Sequence, residues 1–172
     1  MIIRSTNLEK IINKRGSFAF FAHLIFLLGL MLLSLTDIKH GILPDRLNLF
    51  LAVFGVLFTY LGALQPYDSA AIGAGLALAF LGFLHFISGG GLGCGDVKLG
   101  FVLGIWLGHE YIIVALIIAF LAGGIFAALL LLSKKFSRRD SIPFGPFLAF
   151  GATVAMLWGN ALIAWYLALF NG

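Results

Sequence analysis

The most restrictive feature of this chain is a series of apolar stretches as long as a bilayer is thick. Between Ser17 and Thr36 lie twenty residues in which His23 is the only titratable side chain. A helix needs about 20 apolar residues to cross the hydrocarbon core, so this stretch is predicted to span a membrane. With 62% hydrophobic and 10% charged residues among 172, the whole chain has the composition of a multi-pass membrane protein and not of a water-soluble domain.

Five further apolar stretches complete a prediction of six transmembrane helices in one all-α polytopic bundle. Their approximate bounds are 47–64, 69–88, 95–110, 111–132 and 142–170. The last stretch is long enough to cross with a tilt, or with a break at Gly151 or at Gly159-Asn160. The chain is thus divided into an N-terminal segment, 1–16, and a transmembrane domain, 17–172.

The N-terminal segment is predicted to lie on the membrane surface as an amphipathic helix. Leu8, Ile11 and Ile12 recur at helical spacing, and basic residues are interspersed among them. The segment has no small-residue cleavage site after a short apolar core, so a removable signal peptide is not expected.

The search for catalytic groups is short because the chain has only seven acidic residues. Asp37 ends the first predicted span, and Asp96 begins the fourth. A carboxylate at the edge of hydrocarbon is costly and is a functional candidate by default. Because the chain crosses twice between them, both aspartates are expected on the same side of the membrane at similar depth. Glu110 falls at the far end of the fourth span and cannot join them.

The two aspartates permit two functions. Carboxylates that meet in a partly dehydrated site cannot both ionise easily, so Asp37 and Asp96 are expected to share a proton. One would act as general base on water and the other as general acid, as in an aspartic protease. The alternative is a small polytopic ion or proton-coupled transporter with an Asp37/Asp96 relay, because intramembrane carboxylates also mark ion paths. The relay gives no reason for the glycine-rich loop before Asp96.

Residues beside the aspartates are predicted to shape a substrate site. Gly91, Gly93 and Gly95 remove side chains and permit positive φ, so a peptide backbone could approach the loop closely. Lys39 and Lys98 each follow an aspartate by two positions. They either moderate the local charge or anchor their helices at the interface.

Four other polar residues are given structural interpretations. Asp45 directly follows Pro44 and precedes an apolar run, which favours a helix cap over a catalyst. Cys94 is the single cysteine, which excludes an internal disulfide and a multi-cysteine zinc site. It is interpreted as a small loop residue and not as a nucleophile, since no His-Asn/Asp set points to it. His23 and His85 are interpreted as structural histidines. No metal and no cofactor are expected.

The basic residues predict that the aspartates face the cytoplasm. Of the eleven lysines and arginines, seven fall on the predicted aspartate side and four, all within residues 1–16, fall on the other side. The net charge of +4 therefore reflects membrane orientation, and no nucleic-acid partner is expected.

Three segments together resemble the catalytic domain of the type IV prepilin peptidases: Asp37 with the later Pro44-Asp45, the run GCGDVKL at 93–99, and the run PFGPFLA at 143–149. The resemblance covers nearly the whole chain from about Ser17. It implies a multi-pass inner-membrane aspartic endopeptidase of the GxGD class, with Asp37 and Asp96 at the catalytic positions. The implied substrates are prepilins or type II secretion pseudopilins, cut at the cytoplasmic face after the glycine that ends a short basic leader.

Longer members of that family carry an N-terminal cytoplasmic region with two CxxC pairs, associated with zinc and with methylation of the new N-terminus. The sequence shows no counterpart to it, so N-methyltransferase activity is not expected. The expected partners are the substrate and the lipid bilayer, and the oligomeric state is left open.

Overall fold

The computed structural model describes residues 3–89, 91–132 and 143–170, and within these ranges the chain forms helices and no strand. The prediction of an all-α fold is therefore confirmed. The predicted basic loop at 133–140 lies outside the described residues. The five helices are α1 (Ile3–His40), α2 (Asp45–Tyr60), α3 (Tyr67–Ile87), α4 (Cys94–Leu132) and α5 (Gly145–Phe170).

Four of these helices contain segments long and apolar enough to cross a membrane, namely Phe18–His40, Tyr67–Ile87, Cys94–Leu130 and Gly145–Leu169. Large apolar side chains cover their outer surfaces, as is needed in contact with lipid. α2 has 16 residues, which is shorter than the roughly 20 of a typical span. The multi-pass character is confirmed, whereas the total of six spans stays a prediction.

The N-terminal segment does not form a separate helix. α1 runs from Ile3 to His40, so the predicted boundary between residues 16 and 17 lies within one helix. The location of the first part of α1 on the membrane surface stays a prediction. α1 ends where the N–H of Gly41 donates to the carbonyl of Asp37, with Gly41 at φ 63°, the left-handed conformation common after helix ends.

α4 is interrupted at Gly108, whose φ of 73° and ψ of 179° are not helical. The part before the break packs on α3, where the backbone of Gly104 lies against that of Gly73. The part after the break packs on α5, where Gly151 lies against the carbonyl of Ala115. A side chain at Gly73, Gly104 or Gly151 would overlap the neighbouring backbone. Small residues therefore allow both helix pairs to approach closely.

The two parts of α4 run in opposite directions. Tyr111, just after the break, packs against Gly159 late in α5, whereas Gly123 packs against Phe144 beside the beginning of α5. The part before the break is likewise antiparallel to α3. The chain thus turns back at Gly108. Of the two alternatives for the last segment, the break is wrong, because α5 is continuous and its Gly151 and Gly159 provide close helix contacts instead, and the tilt stays a prediction.

Trp106 holds α1 and α2 onto α4. Its ring stacks on Phe26 of α1 with centroids 4.7 Å apart, and its Nε1 donates to the carbonyl of Leu51 in α2 at 2.8 Å. Gly55 leaves room for the indole, since a Cβ there would come within 2.7 Å of Nε1. This buried anchor sets where the last turn of α1 lies relative to the first turn of α4.

Candidate active site

Asp37 lies in the last turn of α1 and is buried, with 5% of its surface exposed. Its Oδ2 accepts a hydrogen bond of 2.9 Å from the backbone N–H of Gly145, the first residue of α5. The first N–H groups of a helix have no partner within that helix. The beginning of α5 therefore uses Asp37 as its partner and fixes the orientation of the carboxylate.

Asp96 is the third residue of α4 and is also buried, with 7% exposure. Its Oδ2 accepts from the N–H of Gly93 at 3.2 Å, and its own N–H donates to the carbonyl of Gly93 at 3.1 Å. This reciprocal pair has the pattern of a capping box, with a carboxylate reaching back from the third helical position. Oδ1 of Asp96 is buried and has no hydrogen-bond partner among the described residues.

The structure brings Asp37 and Asp96 together at one cavity of about 370 Å³. They are near enough for their charges to interact. Leu43 packs between the beginnings of α4 and α5, since a Cβ on Gly95 would lie 3.0 Å from Leu43 Cβ and one on Gly145 would lie 3.2 Å from Leu43 Cδ2. The other walls are residues 41–45 and 93–95. The end of α1 and the beginning of α4, which are far apart in sequence, thus each supply one carboxylate to the same cavity.

The glycine-rich loop is built differently from the prediction. Positive φ occurs at Gly89, with φ 59°, and not at Gly91, Gly93 or Gly95. The absence of side chains in the loop still matters at two positions. A Cβ on Gly93 would lie 3.0 Å from Asp96 Oδ2, and Gly95 faces Leu43. A substrate-binding role for Gly91, Gly93 and Gly95 stays a prediction.

The prediction that Asp45 caps α2 is wrong. Pro44 occupies the cap position of α2, and no side chain there makes a cap hydrogen bond. The Asp45 carboxylate instead pairs with Lys98 Nζ at 2.7 Å, with both side chains exposed. The reason is that α2 begins beside the first turns of α4, where a lysine competes for the carboxylate. Lys39 is exposed at the end of α1.

The remaining polar residues near the site have structural contacts. His85 Nδ1 lies 2.5 Å from the carbonyl of Leu92, which ties the end of α3 to the glycine-rich loop. His23 Nδ1 lies 2.6 Å from the carbonyl of Ala19, one turn earlier in α1. Both contacts agree with the interpretation of these histidines as structural. Cys94 is the exposed first residue of α4 and lines the cavity beside Asp96.

Residues 24–128, which include both aspartates, match the model of the type IV leader peptidase family. The chain belongs to this family. It is 38% identical over 144 residues to the prepilin leader peptidase/N-methyltransferase of Aeromonas salmonicida, covering 81% of this chain and 50% of that relative. The enzyme of the same name from Legionella pneumophila is 36% identical over 159 residues, covering 87% and 55%. That from Bacillus subtilis is 29% identical over 156 residues, covering 91% and 63%.

The chain of this leader peptidase family member spans about half the length of the first of these relatives. No solved structure is significantly similar to it. The family match includes the segments around Asp37, Pro44-Asp45 and Asp96, whereas the run PFGPFLA at 143–149 lies beyond it.

Sequence reasoning missed Gly145 and Leu43 as parts of the site. Gly145 lies in the run PFGPFLA, which was used only for the family resemblance. A proline and a glycine directly before an apolar run do indicate a helix beginning with free N–H groups. Nothing in that pattern identifies Asp37 as their acceptor. Leu43 lies in the tight connection from α1 to α2, between Gly41, which has a left-handed backbone conformation, and Pro44. The only sequence signal that Leu43 belongs to the site is its apolar side chain within a polar loop.

Proposed function

We propose that this chain is an aspartic endopeptidase that removes the leader from prepilins or pseudopilins. The observation that carries the proposal is the convergence of two buried carboxylates, from α1 and α4, on one cavity. The relatives bear the name prepilin leader peptidase, which supports the same activity and substrate class here. Asp37 and Asp96 are assigned as the catalytic pair.

The proposed chemistry is the addition of water to the carbonyl carbon of the scissile peptide bond. One carboxylate, as general base, takes a proton from the water, while the other, as general acid, donates a proton to the carbonyl oxygen. A proton then passes to the nitrogen of the leaving amine as the carbon–nitrogen bond breaks. The N–H of Gly145 holds Asp37 in position, and Oδ1 of Asp96, which accepts no hydrogen bond from the described residues, can bind the water or the substrate carbonyl.

The cut is proposed to fall where the substrate enters the membrane. A transmembrane helix keeps its backbone groups hydrogen-bonded to each other, so a peptidase can reach the chain only where that helix is absent or unwound. Asp37 and Asp96 lie at the ends of apolar segments, at the depth expected of the interface. The excess of Lys and Arg that the sequence predicts on the aspartate side supports a cytoplasmic site in the inner membrane of a bacterial cell.

The proposal includes six crossings. The turn at Gly108 makes the two parts of α4 antiparallel, and each has its own helix partner, so each is inferred to cross separately. α2 is inferred to be a short additional crossing because it begins near Asp96 and is largely apolar after its first turn. The transporter alternative gains no support from the relatives, because they are named as peptidases.

The deciding experiment is cleavage by the purified protein in detergent, with a candidate prepilin as substrate and N-terminal sequencing of the product. The proposal expects a shortened product that begins directly after the leader glycine. The control substrate is the same pilin without its leader, which should remain intact. Absence of processing, together with proton-coupled uptake in liposomes, would contradict the proposal and favour the relay.

A further inference from the structure

A second cavity, of about 600 Å³, adjoins the candidate active site on the outer surface of the bundle. We call it the α2–α4 groove. Its walls come from α2, α3 and α4, and they include Asp45, Asn48, Leu49, Leu78, Lys98 and Phe101. Apart from its polar mouth and Asn48, the lining is apolar, and Leu49, Leu78 and Phe101 are exposed there. The groove thus opens toward the region that lipid would occupy.

The groove adjoins the candidate active-site cavity. Asp45 lines both cavities, and its ion pair with Lys98 lies at their boundary. α2 and the part of α4 before Gly108 both begin at the level of the aspartates and run away from them in the same direction. From residue 45 to residue 52, the extent of the α2 wall, the helix rises about 10 Å. A chain that lies in the groove therefore leads directly from the apolar layer to Asp37 and Asp96.

Asn48 is an unusual residue for such a wall. It is 4% exposed, and neither its Oδ1 nor its Nδ2 has a hydrogen-bond partner among the described residues. A buried amide without partners destabilises a fold, and a leucine in its place would avoid that loss. A bound molecule that supplies the missing hydrogen bonds would offset this cost. An acyl chain of a lipid has no hydrogen-bonding group to offer.

Resting on the proposed peptidase function, we propose that the α2–α4 groove receives the apolar helix of the substrate just after the cleavage site. Asn48 hydrogen-bonds there to backbone groups that unwinding has freed. Unwound backbone in an apolar region has both N–H and C=O groups in need of partners, and a carboxamide provides an acceptor and two donors. A rotation of the Asn48 side chain toward the groove brings these atoms to the substrate. Leu49, Leu78 and Phe101 cover its apolar side chains.

The first test compares Asn48→Leu with the unchanged protein on two substrates. One is a full prepilin, and the other is a short soluble peptide that contains the leader and ends one residue beyond the cut, so that it lacks the backbone that Asn48 is proposed to bind. We expect the KM for the prepilin to rise about tenfold, the factor that one hydrogen bond is worth, with little change in kcat. The peptide should be cut as before, and the melting temperature should stay the same or rise. Equal effects on both substrates, or no effect on either, would overturn the proposal.

The second test does not depend on how Asn48→Leu folds. A photo-crosslinking amino acid is placed at Leu49 or Leu78 in the Asp96→Asn protein, which is expected to bind prepilin without cutting it. The matched control position is Leu121, which is exposed in a different apolar groove between α4 and α5. We expect crosslinks to the substrate helix from Leu49 and Leu78 and not from Leu121. Crosslinks from Leu121 alone, or to lipid alone from Leu49 and Leu78, would overturn the proposal.

The two proposals fail in different ways. If the unchanged protein cuts neither substrate, the peptidase function itself is contradicted. If it cuts both, but neither the Asn48 variant nor the crosslinks distinguish the groove, the peptidase function stands and the groove assignment is wrong.

Discussion

The two ends of the helical segment 94–107 carry polar groups of contrasting kinds. At one end, Asp37 and Asp96 are buried at a cavity, and Asp96 Oδ1 has no hydrogen-bond partner in the part of the chain that the structure describes. At the other end, Ser69 Oγ lies 3.0 Å from His109 Nδ1 and accepts the His109 N–H at 3.3 Å. Satisfied polar groups hold a fold together, whereas a buried group with an unused atom is free to bind something else. The first end is thus suited to chemistry and the second to structure.

Glycine has a different structural role at each end of the helical segment 94–107. Gly108 adopts φ 73° and ψ 179°, a conformation that is essentially restricted to glycine, so it is needed for the turn in the backbone. Gly93 and Gly145 do not have positive φ, and they leave space for the carboxylates of Asp96 and Asp37. Substitutions at the two ends should therefore separate an effect on stability from an effect on rate.

The largest expected effect is the loss of cleavage in Asp37→Asn and in Asp96→Asn. Each change removes a group that transfers a proton in the proposed reaction, which commonly lowers a rate by about 10²- to 10⁴-fold. The matched control is Glu110→Gln, which removes an acid from the opposite end and should leave cleavage close to normal. Rates are measured with prepilin in detergent, and thermal unfolding checks that each variant is folded. Near-normal cleavage by either aspartate variant would refute the catalytic assignment.

A smaller loss of rate is expected for Gly145→Ala. The new Cβ would lie 2.7 Å from Asp37 Oδ2, so the carboxylate must move. A misplacement of about 1 Å in a catalytic group can lower a rate by about 100-fold. Gly75→Ala is the control, since nothing lies within 4 Å of a Cβ there. If Gly145→Ala unfolds at a lower temperature but the folded protein cleaves at the normal rate, the contact between α5 and Asp37 is structural only.

Gly108→Ala should reduce stability more than it reduces the catalytic rate. Its positive φ is strained for alanine, at about 1–3 kcal/mol, and its Cβ would also collide with Ser69 Oγ. Gly124→Ala, in open space on the same helix, is the control. Thermal unfolding in detergent and kcat of the folded fraction give the comparison. A Gly108→Ala protein with normal stability and lost activity would contradict the assignment of a structural role to the Gly108 end of the segment 94–107.

The smallest effect is expected for Lys98→Gln. Its ion pair with Asp45 lies beside the catalytic cavity but is exposed, and exposed pairs contribute little. Cleavage should fall by less than about threefold, and high salt should reduce the difference further. Asp45→Asn should have the same size of effect if the pair acts as a unit. A loss comparable to that of Asp96→Asn would place Lys98 among the catalytic groups.

The sequence alone was sufficient for features that depend on local physical chemistry. Apolar length predicted membrane helices, since backbone groups in lipid must be satisfied within each segment. The positions of Asp37 and Asp96 at the ends of such segments then predicted that they share one side of the membrane. The reciprocal hydrogen bonds between Gly93 and Asp96 are likewise local, because the two residues are three positions apart.

Only the tertiary structure decided which distant groups become partners. Gly145 binds Asp37 across 108 positions, and Lys98 takes the carboxylate that Asp45 was predicted to use as a cap. Gly108 lies inside the predicted fourth span, 95–110, whereas in the structure its non-helical backbone forms the turn between two antiparallel helices. These contacts depend on how closely whole helices approach each other. That approach is set by small residues such as Gly73 and Gly104 on helices far apart in the chain, and local sequence patterns do not record which pairs of them meet.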